Sequence, residues 1–191
     1  MSAALREPMT LTEFLDWEER QELPYEFDGF QPLAMTGGTD AHEAIGGALR
    51  AALHPRLRGG PCRVRGPTLK IEVAGRIRYP DAFVHCSAVP PGTTVIRDPV
   101  VVFEVLSAST SRTDRIIKLR EYQATPSIRH YVILEQDSIA ATLVSRVGDH
   151  WSVLALTEND AIALPEIGVS LPLAEIYADI PGLEAAADPA A

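Results

Sequence analysis

The chain has 191 residues and a mass of 20.7 kDa, a size that favours one domain and buries about 70% of the unfolded surface. Apolar residues make up 46% and charged residues 23%, which excludes both a disordered chain and a coiled coil. No apolar run is long enough to span a membrane, and the opening MSAALREPMTLTEF lacks the parts of an export signal, so a soluble cytoplasmic protein is expected. Cys62 and Cys86 stand apart with no CxxC, and are expected to be reduced, small core residues.

In chain order, Thr10 to Gln21 reads as a short helix capped by Thr10 or Thr12. Leu23 to Met35 alternates loosely and suits one or two short strands. After the GGTD loop, Asp40 with Glu43 resembles a helix cap, and Ala41, Ile45, Ala48, Leu49, Ala52 and Leu53 recur at helical spacing up to Pro55. From Cys62 the period changes to two: CRVRGPTLKIEV and RIRYPDAFVHC read as two strands joined at Ala74-Gly75. DPVVVFEVLS is a buried strand, followed by a helix over STSRTDRIIKLREYQATP with Ser111 and Asp114 as a capping box. IRHYVILEQD is a further strand, Ala140 to Leu156 a hairpin turning at Gly148-Asp149, and Pro172 to Tyr177 a last short helix. The expected fold class is α/β, with helices around a mixed sheet and an added C-terminal hairpin. Residues 1–183 form the expected single domain, and the Ala-rich residues 184–191 a flexible tail.

The net charge of −9 argues against a nucleic-acid binder, but the average conceals a split. Residues 1–49 carry 2 basic and 10 acidic side chains, and residues 79–191 carry 7 and 15. Between them, residues 50–78 hold 8 basic side chains against the single acid Glu72. Such a block can draw a polyanion to one face, or its arginines can pair with the surplus carboxylates elsewhere.

Glu104 is the most informative residue, because every neighbour in VVVFEVL wants a dry environment. A carboxylate there must be neutralised, paired with an arginine, or bound to a metal. Asp81 interrupts the preceding strand in RYPDAFV, where Pro80 cannot donate a ladder bond and so marks an edge, a bulge or a strand end. On adjacent strands the two carboxylates can converge on one ion, and two oxygen ligands plus water suit Mg²⁺. No phosphate-binding GK[ST] loop, GxSxG elbow or paired-histidine zinc spacing exists, and few aromatics argue against a sugar cleft. His42 falls in the first turn of its helix, where the dipole favours a neutral imidazole; it can contact phosphate or a water near the metal, or simply cap and pack.

Pro80-Asp81, Glu104 in VFEVLS and Lys118 in RTDRIIKLREY, in that order, resemble the Uma-type family of bacterial endonucleases. That family belongs to the PD-(D/E)XK restriction-endonuclease-like superfamily. The similarity runs from TLTEFLDWEE through YEF, the His42 helix, RYPD and FEVLS to LPLAEIY. It implies a restriction-endonuclease-like core, a divalent metal (Mg²⁺ or Mn²⁺), and hydrolysis of phosphodiester bonds in nucleic acid, DNA above all. By this resemblance Asp81 and Glu104 hold the metal, Lys118 orients water or offsets phosphate charge, and Glu26 is a supplementary ligand. Arg63, Arg65, Lys70 and Arg76 from the basic block would then track the backbone. Two departures stand out: Leu106 occupies the place of the superfamily lysine, which here moves to Lys118, and Gln31 stands where a final acid is expected. Gln31 favours the alternative of a non-catalytic nucleic-acid-binding or regulatory protein with the same fold. For Lys118 the alternative is an i,i+4 pair with Asp114, and Lys70 is then the reserve catalytic lysine. A homodimer is expected by analogy with nucleases that cut both strands.

Overall fold

The computed structural model describes residues 8–35, 37–106 and 112–183, with side chains from 115 onward in the last segment. The elements in the first half are α1 (Leu11–Glu18), β1 (Tyr25–Phe27), β2 (Pro32–Ala34), α2 (Asp40–Leu57), β3 (Arg63–Arg65), β4 (Lys70–Val73), β5 (Arg76–Arg78) and β6 (Ala82–His85). There follow β7 (Val95–Ile96), β8 (Pro99–Leu106), α3 (Arg112–Ala124), β9 (His130–Glu135), β10 (Ala140–Val147), β11 (His150–Thr157), β12 (Ala161–Leu164), β13 (Val169–Pro172) and α4 (Leu173–Tyr177). The capping box expected from Ser111 and Asp114, and the tail 184–191, lie outside the described residues.

Local chemistry sets many of the boundaries. Thr10 caps α1 in a reciprocal box: its hydroxyl accepts from the Glu13 N–H, and the Glu13 carboxylate accepts from the Thr10 N–H. Thr39, rather than Asp40, caps α2 by accepting from the His42 N–H. That helix also runs past Pro55 to Leu57, although the proline withholds the N–H that the Ala51 carbonyl would otherwise accept. Arg56 Nη1 donates to the Ala52 carbonyl at 2.8 Å. Ala74 and Gly75 both have positive φ, 49° and 75°, as a tight two-residue hairpin requires, and this turn joins β4 to β5.

Among the described residues the strands form two large sheets and one ribbon, rather than a single mixed sheet. The six-stranded sheet has the order β11-β10-β9-β8-β6-β3, with β8 and β9 parallel across the α3 crossover. The five-stranded sheet has the order β2-β1-β5-β4-β7, and β12 pairs with β13. The two long strands expected from Cys62 to Cys86 therefore each divide between sheets, at Gly66-Pro67 and at Pro80-Asp81. Pro80 ends β5 and frees Asp81 from any ladder, as its lack of a donor dictates.

The six-stranded sheet carries apolar side chains on both faces. Val101, Phe103 and Val105 pack with Ile45, Leu49 and Leu53 of α2 and with Ile176 of α4. Val102 and Leu106 point the other way, joining Phe83, Ile71, Tyr122 and Tyr131 against α3 and the smaller sheet. Phe14 stacks on Phe27, ring centroids 4.8 Å apart, and closes α1 over β1 and β5.

The cysteines correct an expectation. Cys62 and Cys86 form a disulfide with an S–S distance of 2.06 Å, and no described cysteine is free. The cause is register: Arg63 pairs with His85 in the β3–β6 ladder, which puts the next two residues face to face. Closing a loop of 24 residues stabilises by at most about 3.5 kcal/mol in the chain-entropy account. Unfolding without reductant should therefore expose no titratable thiol, and dithiothreitol should lower the melting temperature by several degrees. Two free thiols in the unreduced protein would contradict the pairing.

Candidate functional site

The site grows from the alternation in β8. Since Val101, Phe103 and Val105 face α2, Glu104 faces α3 and the smaller sheet, where it is only 4% exposed. Two residues one turn apart on α3 answer it. Tyr122 Oη donates to Glu104 Oε1 at 2.7 Å, and Lys118 Nζ donates to both carboxylate oxygens at 3.1 and 3.2 Å. The partner of this buried acid is thus a lysine and a tyrosine, not an arginine. The same ammonium lies 3.9 Å from Glu26 Oε1, so it bridges two carboxylates from different sheets.

Glu26 is fixed from behind by β5. It accepts from the Tyr79 N–H and from Arg78 Nη1, both at 3.3 Å. Arg78 in turn grips Glu121 of α3 through two parallel bonds of 2.8 and 2.7 Å, with both side chains buried. Lys118, Glu121 and Tyr122 therefore share the inner face of α3.

Asp81 reaches the cluster from the other side. Its Oδ2 accepts from the Val105 N–H at 2.7 Å, beside Glu104, and its Oδ1 lies 3.2 Å from His42 Nε2. Arg50 Nη1 donates to the Asp81 carbonyl at 3.0 Å and holds the turn after β5. A Cβ on Gly66 would come within 2.6 Å of Arg50 Cδ, so this contact needs a glycine there.

The electrostatics follow from burial and crowding. Burial pushes the Glu104 carboxyl up to about 7; Lys118 pulls it back, Asp81 and Glu26 push it further up, and the Tyr122 hydroxyl lowers it. The hydrogen bond to Asp81 raises the His42 imidazole above its ordinary value despite partial burial, with the Asp81, Glu104 and Glu43 charges adding in the same direction. The Tyr122 hydroxyl is held well above its usual range by burial and then by Glu104.

The structure thus brings together Asp81, Glu104, Lys118, Glu26 and His42. The basic candidates scatter. Arg63 and Arg65 lie exposed on β3. Lys70 is 6% exposed, and its ammonium is used by Glu18 at 2.5 Å, so it can neither track a backbone nor replace Lys118. Arg76 is occupied by the Asp28 and Ala74 carbonyls and by Glu121. Tyr122, Arg78 and Glu121 were not anticipated. The spacing of Tyr122 one turn after Lys118, beside a buried acid, was the available signal.

Among the described residues no group of three or more His, Cys, Asp or Glu side chains is close enough to enclose a metal ion. The donor set nevertheless fits a hard divalent cation that keeps most of its water: Asp81 and Glu104 offer oxygens, and the negative crowding that raises Glu104 would be relieved by positive charge.

A family model described as "putative restriction endonuclease", Uma2, matches residues 11–174. The chain belongs to this family. An uncharacterised protein of Synechocystis sp. is 34% identical over 169 residues, covering 86% of this chain and 89% of that one. A crystal structure from Anabaena variabilis, described as a putative nuclease belonging to DUF820, superposes with a TM-score of 0.73. It covers 90% of this chain and 98% of that chain at 16% identity, so the likeness shows a shared fold. The Uma2 chain accordingly has a restriction-endonuclease-like α/β core and is nuclease-like.

The shift of Glu104 has a sign that can be measured. Its folded carboxyl keeps a proton to about pH 7, whereas the unfolded one loses it near 4.5, so stability falls as pH rises through that window. The loss attributable to this group is at most about 3 kcal/mol. Glu104→Gln should abolish that slope, leaving a protein at least as stable as the parent at pH 8 in EDTA. Urea unfolding at pH 5 and pH 8 measures it, and a variant weakened at pH 8 relative to pH 5 would contradict the assignment.

Proposed function

We propose that this chain is a Mg²⁺- or Mn²⁺-dependent endonuclease that hydrolyses phosphodiester bonds, with DNA as its substrate and residues 1–183 as its single domain. The observation that carries the reading is the buried junction of Asp81, Glu104 and Lys118, flanked by Glu26 and His42. Asp81 and Glu104 would hold the cation. The chemistry supplied by such a cation, when bound, is Lewis acidity toward a phosphoryl oxygen and a lowered pKa for an attacking water. Lys118 stands where an ammonium can offset charge developing on the phosphate while still contacting both glutamates. His42 orients Asp81, and its raised pKa favours the charged form that holds the carboxylate in place. Arg78 and Tyr122 fix the positions of Glu26 and Glu104.

A homodimer is the assembly that would let one enzyme cut both strands of a duplex. No described helix is long and apolar enough to cross a membrane. A cytoplasmic location is part of the proposal, and the Cys62–Cys86 disulfide would then persist in a reducing compartment.

The competing reading is a nuclease-like fold without catalysis, favoured by Gln31 and by the fact that Lys118 already occupies both Glu104 oxygens without an ion. Calorimetric titration with Mn²⁺, followed by cleavage assays on plasmid and single-stranded DNA, separates the two. The nuclease reading expects ion binding and metal-dependent cleavage. Lys118→Arg should fold and bind Mn²⁺ normally yet cleave roughly 100-fold more slowly, because a bulky planar guanidinium cannot replace a compact ammonium between two carboxylates. Full activity in both Lys118→Arg and Lys118→Ala would remove the lysine from the site. Absence of both ion binding and cleavage would favour the non-catalytic protein.

A further inference from the structure

The basic block of residues 50–78 resolves into two populations. Five of its eight cations are consumed internally: Arg50 by Glu43, Arg56 by Glu175, Lys70 by Glu18, and Arg76 and Arg78 by Glu121. Arg58, Arg63 and Arg65 remain, and among the described residues none of them meets a carboxylate. These three do not scatter over the surface. Together with His54 they line one pocket of about 170 Å³, between the C-terminal end of α2 and β3. In a chain of net charge −9, that leaves an uncompensated positive focus.

The pocket is built as well as charged. Arg63 Nη1 donates to the Gly60 and Cys62 carbonyls at 2.6 and 2.8 Å, and Arg65 Nη1 to the Val64 carbonyl at 2.9 Å. Each guanidinium is thereby anchored by one nitrogen, with most of its five N–H donors left over. Arg58 leaves the helix as its C-cap, and Gly59 turns with a φ of 82° and open space where a side chain would project. The Cys62–Cys86 disulfide pins the start of β3 to β6, so the two strand arginines are presented by a fixed edge. The field is felt beneath: burial lowers the His85 pKa, and Arg65 lowers it further.

We propose that this pocket is a phosphate-binding site, separate from the carboxylate cluster, that takes a phosphate group of the nucleic-acid substrate. Guanidinium forks match phosphate oxygens bidentately, and three arginines lining one concavity suit a tetrahedral oxyanion with many acceptors. The site rests on the nuclease reading for where its phosphate comes from, whether a chain interior or a 5′ end, but not for its chemistry. Its place is informative. β3 leads through Gly66 to the Asp81 carbonyl, so a strand anchored at Arg58 and Arg63 can run along the sheet edge toward the carboxylates.

The test is binding without catalysis, on the full chain in EDTA at 50 mM salt. Amide resonances of Gly59, Gly60 and Val64 are followed during titration with inorganic phosphate. Fluorescence anisotropy is followed with one DNA oligonucleotide, made with and without a 5′-phosphate. The variant replaces Arg58, Arg63 and Arg65 together by Gln. A control removes equal charge at Arg20, Arg97 and Arg129, which lie elsewhere on the exposed surface. The pocket variant should lose the phosphate-induced shifts, bind DNA at least ~30-fold more weakly, and flatten the salt dependence by about one unit, with unchanged melting. The control should do far less. Loss confined to the 5′-phosphorylated oligonucleotide assigns a terminal phosphate, and equal loss in both assigns the backbone. Equal weakening by pocket variant and control, or no saturable shifts with phosphate, overturns the site. Metal-dependent cleavage is scored separately: if it is absent while the pocket still binds, the nuclease reading fails and the phosphate site stands.

Discussion

A carboxylate placed in the middle of a dry strand has to be met by donors, and much of this molecule is arranged around that demand. Glu104 cannot reach water, and an unpartnered charge there would cost more than the marginal stability of a domain this size. The parallel crossover from β8 to β9 lays α3 across the same face, bringing Tyr122 and Lys118 to the acid from one helix. The helix is in turn tied to the smaller sheet by Arg78 and Glu121, which carries Glu26 up to the other side of Lys118. Without Glu104 the Lys118 ammonium would keep only the more distant Glu26, and the Tyr122 hydroxyl would lose its acceptor.

Much of this was legible in the residues, and the division has a physical basis. The capped helix α1, the apolar runs β8 and β9, the Gly148 hairpin and the short helix α4 declare themselves within a few residues, through caps, periods and turns. Glu104 and Asp81 were legible for the same reason, since a carboxylate amid valines or after a strand-ending proline conflicts with its immediate neighbours. Partner choice was not legible. Gly66-Pro67 and Pro80 marked the breaks, yet nothing local says that the chain changes sheets at each. The cysteines look reduced until the β3–β6 register sets them opposite one another. Lys70 and Lys118 are chemically the same residue, and only the fold buries one against Glu18 and sets the other between two glutamates. Tyr122 was overlooked because a tyrosine at helical spacing reads as core, and it is indeed core apart from one hydroxyl.

Charge tells a similar story. A count over residues 50–78 finds one basic block, but tertiary structure sorts it into cations that hold elements together and cations that have nothing else to hold. Each member of the first group is paired with a carboxylate; the second gathers at the C-terminal end of α2. A formal count is therefore a poor map of where a polyanion would settle, and the pairing pattern is a better one.

The division of the carboxylate cluster between two sheets also bears on when the cluster comes into being. Glu26 and Arg78 belong to the smaller sheet, while Glu104 and the turn at Asp81 belong to the larger. The Arg78–Glu121 contact that ties the smaller sheet to α3 closes a separation of 43 residues. Contacts of that range are made late, after local helices and hairpins, because their loop entropy is lost before any contact is gained. A nascent or partly unfolded chain would hold either sheet and still possess only half of the cluster. Whatever chemistry these residues perform begins only when the two sheets dock, so the site itself reports that folding has finished.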